Sequence, residues 1–145
     1  MTLRILTPVA AATAGLLAAA SLAFAQSAIA PTNVAPTNGK SIKHGVPFTF
    51  KVHLDPDSAA SGVFVKVSKS KRVGDDGTLA NDIYFRSMKQ GANGQWTKKV
   101  ERYPALTSHF LNRKGRYYWQ AYSIDCSDGL DDCDIEGPIG SFRIK

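Results

Sequence analysis

The sequence predicts an all-β fold, an antiparallel two-sheet sandwich of about seven strands. Three observations lead there. Apolar and polar residues alternate with period two in several short segments, turn clusters of Gly, Asn and Asp recur at intervals of roughly ten residues, and no capped apolar repeat at helical spacing stands beyond the N-terminal segment.

Taken in order, residues 26–35 and the chain just after them are rich in Pro, Asn, Thr and Gly and read as an extended lead-in, with the domain itself at 36–145. From Val46 to Leu54 the alternation predicts a strand whose Val46, Phe48, Phe50 and Val52 point one way and Thr49, Lys51 and His53 the other. Pro56-Asp57-Ser58 ends it. Gly62 to Ser68 repeats the pattern, with Val63, Val65 and Val67 inward and Lys66 and Ser68 outward. Gly74-Asp75-Asp76-Gly77 is a turn cluster, and a third strand is expected over Ile83 to Met88. Gly91-Ala92-Asn93-Gly94 marks another turn before a strand from Trp96 to Tyr103. The aromatic run from Gly115 to Ile124 is the longest strand expected, with Tyr117, Trp119 and Ala121 on its core side and Tyr118, Gln120 and Tyr122 facing outward. An acidic connection from Cys126 to Pro138 leads to a closing strand, Ile139 to Ile144. The expected core therefore includes Phe48, Phe50, Val65, Tyr117, Trp119 and Phe142.

Several of these stretches carry a resemblance. Pro36-Thr37-Asn38-Gly39-Lys40-Ser41-Ile42 followed by Val46-Pro47-Phe48-Thr49-Phe50 resembles the opening turn and second strand of fibronectin type III-like and related immunoglobulin-like domains of bacterial secreted and surface proteins. Leu111-Asn112-Arg113-Lys114-Gly115-Arg116-Tyr117 is similar to the Leu-x-Pro-x-Thr-x-Tyr approach to the sixth strand of such domains, with Lys114 and Gly115 near the positions where Pro and Thr are common. Tyr117-Tyr118-Trp119-Gln120-Ala121 resembles that strand, and Gly137-Pro138-Ile139-Gly140-Ser141-Phe142-Arg143-Ile144 the closing one. The second strand lacks the tryptophan many of these domains carry there, and offers Phe50 or Val52 instead. The resemblance implies a packing scheme and no particular ligand, because one sandwich fold hosts many roles.

Residues 1–25 differ in composition from the rest. Arg4 is their only charge, the run from Val9 to Ala25 is Ala-rich, and it closes on Ala23-Phe24-Ala25, the small-x-small pattern that signal peptidase accepts. A cleavable signal peptide ending before Gln26 is expected, with no membrane anchor in the mature form and a secreted or cell-envelope location. An exported chain meets oxidising conditions, in which its two cysteines, Cys126 and Cys133, are expected to pair.

The formal charge is +6 over the whole chain, yet six of its twelve acidic residues lie between Asp125 and Glu136. The remainder is basic, with clusters at Lys66, Lys69, Lys71 and Arg72, at Lys98, Lys99 and Arg102, and at Arg113, Lys114 and Arg116. Such clusters attract polyanions, and they also serve as ordinary strand-edge charges that discourage aggregation. No sequence-specific nucleic-acid motif accompanies them.

Enzymatic chemistry finds no support. His44, His53 and His109 each stand alone, and no nucleophile turn presents a serine to a base. No cofactor motif is present. The acidic loop, with Asp125, Asp128, Asp131, Asp132 and Asp134, is a candidate Ca²⁺ site by ligand type, but Gly129 and Leu130 break the EF-hand register. Tyr118, Tyr122 and Trp96 are candidates for a ligand-binding aromatic surface. The sequence thus points to a secreted, non-enzymatic module that contacts an extracellular protein or polysaccharide. Two variants of that reading are a carbohydrate or wall-polymer binder using the tyrosines and basic residues, and a calcium-dependent adhesion module using the loop at 125–136.

Overall fold

The computed structural model describes residues 29–101, 111, 113–126 and 133–145. Residues 1–25, where a signal peptide is expected, and Arg102, Tyr103, His109, Asp128, Asp131 and Asp132 lie outside the described residues.

Among the described residues ten strands form two sheets: β1 (Thr32–Ala35), β2 (Lys40–Ile42), β3 (Phe48–His53), β4 (Gly62–Ser68), β5 (Asp82–Ser87), β6 (Lys89–Gln90), β7 (Gln95–Val100), β8 (Gly115–Ile124), β9 (Asp134–Glu136) and β10 (Gly140–Ile144). One sheet has the order β1-β3-β7-β6; the other runs β2-β10-β8-β4-β5, with β9 paired to β8. All pairs are antiparallel except β2 with β10, which run parallel.

β4 and β8 occupy the spans their alternation indicates, and the other strands depart from expectation by a residue or more. Val46 is exposed and precedes β3, because the Pro47 that follows has no N–H to give a ladder and β3 begins only at Phe48. β5 begins at Asp82 and ends at Ser87. β10 starts at Gly140, since Pro138 keeps the preceding chain off the ladder. Residues 32–35, read as lead-in, pair with β3 and belong to the sandwich. The acidic connection contains β9, which adds a short hairpin partner to the end of β8. Between β6 and β7, Asn93 and Gly94 both adopt positive φ (53° and 69°), and the Gln95 N–H donates to the Ala92 carbonyl at 3.1 Å. That is the type I′ hairpin turn for which Asn-Gly is suited. A side chain at position 94 would collide with the Leu54 carbonyl.

The core lies between the sheets. Phe50 and Val52 from β3, Val63, Val65 and Val67 from β4, Tyr117, Trp119 and Ala121 from β8 and Phe142 from β10 are at most 1% exposed. Phe48 is half-buried and closes one end of this cluster. Phe50 sits among the core rings, its centroid 5.1 Å from Trp119, 5.8 Å from Phe142 and 6.3 Å from Tyr84. Such ring pairs add about 0.5–1.5 kcal/mol each beyond area burial. Near the start of β8, the Tyr117 hydroxyl donates to the Arg113 carbonyl, Leu111 is buried, and the Tyr117 ring stacks on Phe142 at 5.3 Å.

Candidate functional site

The outer face of the six-stranded sheet is where the sequence places Tyr118 and Tyr122. The direction of these side chains is as expected, but their exposure is not: Tyr122 is buried, 4% exposed, and Tyr118 is half-buried. The reason is a strap formed by residues 69–81, which folds back over that face and buries Thr78 and Leu79 against it. Phe64, Phe85 and Tyr122 stack there with centroids 5.5–6.0 Å apart, a small aromatic cluster outside the sandwich in which Tyr122 is buried, Phe64 half-buried and Phe85 exposed. Gln120, 3% exposed, holds the strap down: its Oε1 accepts from the Leu79 N–H at 2.9 Å, and its Nε2 donates to the Gly137 and Gly77 carbonyls at 3.0 and 3.4 Å. The aromatic surface proposed from sequence is therefore packing. Trp96 meets the same correction. It faces inward from β7, opposite Val52, and is 8% exposed.

The charges at the edge of this cluster are organised around Lys66, which is half-buried, and Asp76, which is exposed. The Lys66 Nζ donates to Thr78 Oγ1, lies 3.5 Å from Asp76 Oδ2, and sits over the Tyr122 and Phe85 rings at 5.5 and 5.9 Å. Asp76 accepts from the Thr78 hydroxyl and backbone N–H, and these bonds, with the Lys66 charge, hold its carboxyl below the ordinary carboxylate range. Burial, reinforced by the charges of Asp134, Asp82 and Asp76, pushes the Tyr122 hydroxyl well above the usual tyrosine range.

Cys126 and Cys133 are joined by a disulfide, with Cα atoms 4.7 Å apart. The bridge closes the loop that leaves β8 and returns as β9, and the Asp125 N–H donates to the Cys133 carbonyl at 2.8 Å. Of the candidate Ca²⁺ ligands, Asp125 is buried and Asp134 half-buried, while Asp128, Asp131 and Asp132 lie outside the described residues.

What the structure does expose is the outer face of the four-stranded sheet. The register Lys51↔Thr97↔Lys89 sets two lysines on either side of a threonine, and the adjacent rows carry Thr49 with Lys99 and His53 with Gln95. Lys51 and Lys89 stand two strand spacings apart, about 10 Å. An open groove of about 510 Å³ adjoins this face, lined by Lys89, Thr97, Lys98, Lys99, Glu101, Met88 and Ser87. Among the described residues the face has one ion pair, Lys99 with Glu101 at 2.9 Å. Sequence reading noticed the cluster at Lys98 and Lys99 but missed Lys51 and Lys89 as its neighbours. Alternation puts Lys51 and His53 on one face, whereas the pairing of a two-residue strand, β6, is invisible before the sheet is assembled.

No protein-family model matches the chain, and no curated protein sequence matches it. Among solved structures, the chain is similar to the fibronectin(III)-like modules of Clostridium thermocellum CbhA, with 18% identity and a TM-score of 0.47 over 79% of this chain and 94% of that one. It is also similar to Pseudomonas fluorescens alkylpurine DNA glycosylase AlkC bound to DNA containing an abasic site analog, with 16% identity and a TM-score of 0.38 over 81% of this chain and 30% of that one. These likenesses concern the layout of strands alone. The strand order within the molecule is more telling. With the short β2 and β9 and the edge strand β5 set aside, first, second, fifth and fourth strands in one sheet (β1-β3-β7-β6), with third, sixth and seventh (β4, β8, β10) in the other, is the immunoglobulin-like arrangement, and the Tyr117 hydroxyl bonding back to the chain before β8 is its tyrosine corner. The fold is an immunoglobulin-like β-sandwich. Such a module presents its two outer sheet faces and its end loops to partners. In this module the strap covers the part of one outer face around Gln120 and Tyr122, and the other outer face is open.

Proposed function

We propose that the chain is exported and that its sandwich is a non-enzymatic binding module, with the outer face of the four-stranded sheet as the contact surface for an anionic polysaccharide. The observation that carries the reading is the array of Lys51, Lys89 and Lys99, spaced by Thr49, Thr97 and Gln95 on a flat, open sheet and balanced there by Glu101 alone among the described residues. Lysines supply positive potential, and hydroxyl and amide side chains between them suit a ligand that is itself rich in hydroxyls. Among the described residues the face has no aromatic ring on which a neutral sugar or a nucleobase would stack, and no arginine of the kind favoured for phosphodiester recognition. The disulfide Cys126–Cys133 supports an oxidising compartment, and the Ala-rich segment ending at Ala25 supports export.

The test uses the mature chain from Gln26. Binding to a uronic-acid polymer, to dextran and to duplex DNA is compared at low and physiological salt, for the natural sequence and for Lys51→Glu/Lys89→Glu. Retention by the uronic-acid polymer that falls with salt and is lost in the double variant is expected. Equal retention of both proteins would remove the face from the reading, and preference for DNA would replace the ligand class. Intact-mass analysis of exported protein, expected to begin at or near Gln26, tests export separately.

A further inference from the structure

A second basic site lies on the opposite sheet, at the end of β8 far from the acidic loop. Arg116 and Arg143 stand directly opposite each other in the antiparallel β8–β10 ladder, and Arg143 is paired in turn with Ser41 across the parallel β10–β2 ladder. Their chain neighbours Tyr117, Phe142 and Ile144 fill the core, so Arg116 and Arg143 project from the outer face, and both are exposed. Like charges directly opposite on neighbouring strands, with Cβ atoms about 5 Å apart, repel each other and destabilise the sheet. Among the described residues neither guanidinium has an ion pair or hydrogen bond that would relieve this.

The surroundings are ordered. At the next outward position Tyr118 stands opposite Ser141, whose N–H and hydroxyl both donate to Asn38 Oδ1, at 3.0 and 2.7 Å. That bond pair ties the loop before β2 to β10 and fixes the floor beside the arginines. The Ser41 and Tyr118 hydroxyls have no partner among the described residues and flank the arginine pair on the same face. The strap, which covers Gln120 and Tyr122 farther along β8, leaves Arg116 exposed.

We propose that Arg116 and Arg143, with Ser41 and Tyr118 beside them, form a binding site for a tetrahedral oxyanion, a phosphate or sulfate group. Two planar guanidinium forks that each engage two oxygens exceed the two acceptors of a carboxylate, whereas a tetrahedral anion offers three or four. Two fixed positive charges side by side match a dianion, and hydroxyl donors at the rim satisfy its remaining lone pairs. The site is independent of the lysine face, which belongs to the other sheet and uses point charges spread over a wide area.

Thermal unfolding and calorimetric titration of the full mature chain test this, with inorganic phosphate, sulfate and glycerol phosphate each compared with chloride at equal ionic strength. A saturable rise in unfolding midpoint is expected with the tetrahedral anions. Affinity should fall by about tenfold or more in Arg116→Gln and in Arg143→Gln and stay unchanged in Lys51→Gln. In chloride both arginine variants should be at least as stable as the natural sequence, because each relieves the repulsion, so a folding defect will not mask the result. A response to the inorganic ions alone assigns a free anion as ligand, and one that includes glycerol phosphate assigns an ester. A midpoint rise that persists in either arginine variant, or that chloride matches, overturns the site, since excluded-salt stabilisation needs no arginine.

Discussion

The two outer faces of this sandwich are built from strands with the same alternation, yet one is open along its length and the other is buried over its middle. On the four-stranded sheet, Lys51, His53, Gln95 and Lys99 alternate with core residues and meet solvent. On the six-stranded sheet, Gln120 and Tyr122 hold the equivalent outward positions and are 3% and 4% exposed, because residues 69–81 lie across them. Alternation therefore assigns a side chain to a face, and a loop elsewhere in the chain decides whether that face is wet. The difference also allots the functions proposed above: polymer contact goes to the bare sheet, and the covered sheet retains only its uncovered end.

The comparison breaks most readily at Tyr122. If the strap seals Tyr122 from solvent, Tyr122→Ala should cost about 3 kcal/mol or more in a denaturant titration, the scale of large aromatic deletions. A loss within about 0.5 kcal/mol, the range of ordinary surface changes, would mean the strap is loose and the face effectively open.

Gln120 gives the next largest effect. Gln120→Leu keeps the volume but strands the Leu79 N–H and the Gly137 carbonyl, at a cost of about 1–3 kcal/mol. Hydrogen exchange should speed up at Leu79 and Thr78 while the amides of β4 and β8 stay protected. Uniform loss of protection would show that strap and sandwich unfold as one unit.

Titration sharpens the contrast at both ends of the pH scale. Asp76 has a lowered pKa in the fold, so its contribution is complete above its ordinary value of 3.8 and disappears as pH falls through the folded value. Acid should thus loosen the turn that Asp76 closes on Thr78, together with its pairing to Lys66, and Asp76→Asn should remove that part of the acid sensitivity. Tyr122 has a raised pKa, so its contribution is complete below 10.0 and is lost as pH climbs toward the folded value. Alkaline difference spectra should show its ionisation delayed until unfolding, and Tyr122→Phe should remove the delayed step. The smallest effect belongs to the bare face: Lys51→Ala should move stability by no more than about 0.5 kcal/mol while weakening polymer retention.

Much of the sandwich was legible in the sequence. β4 and β8 stand where the Val63-Val65-Val67 and Tyr117-Trp119-Ala121 alternations put them, because their inner residues all enter one core. The strands that escaped notice, β1, β2, β6 and β9, are two to four residues long, too short for a period to show. They exist because a neighbouring strand offers them a ladder. The covered face left a trace that went unread. Phe64, Phe85 and Tyr122 are outward aromatics on three adjacent strands, and three large apolar groups on a supposedly wet face signal a cover. The candidate sites were the least legible part, since Lys51 meets Lys89 and Arg116 meets Arg143 only through register between segments distant in the chain.

One further property follows from the parallel pairing of β2 with β10. Once the β1–β3 pairing had given way, tension on the chain would draw β2 toward its N-terminal side and β10 toward its C-terminal side, in opposite directions along a shared axis. The pairs Phe142↔Lys40, Arg143↔Ser41 and Ile144↔Ile42 would then be loaded side by side and at once, as a lap joint is, where an antiparallel hairpin opened from its free ends yields one rung after another. A small module placed under mechanical load thus carries, at its C-terminal edge, a seam that resists sliding.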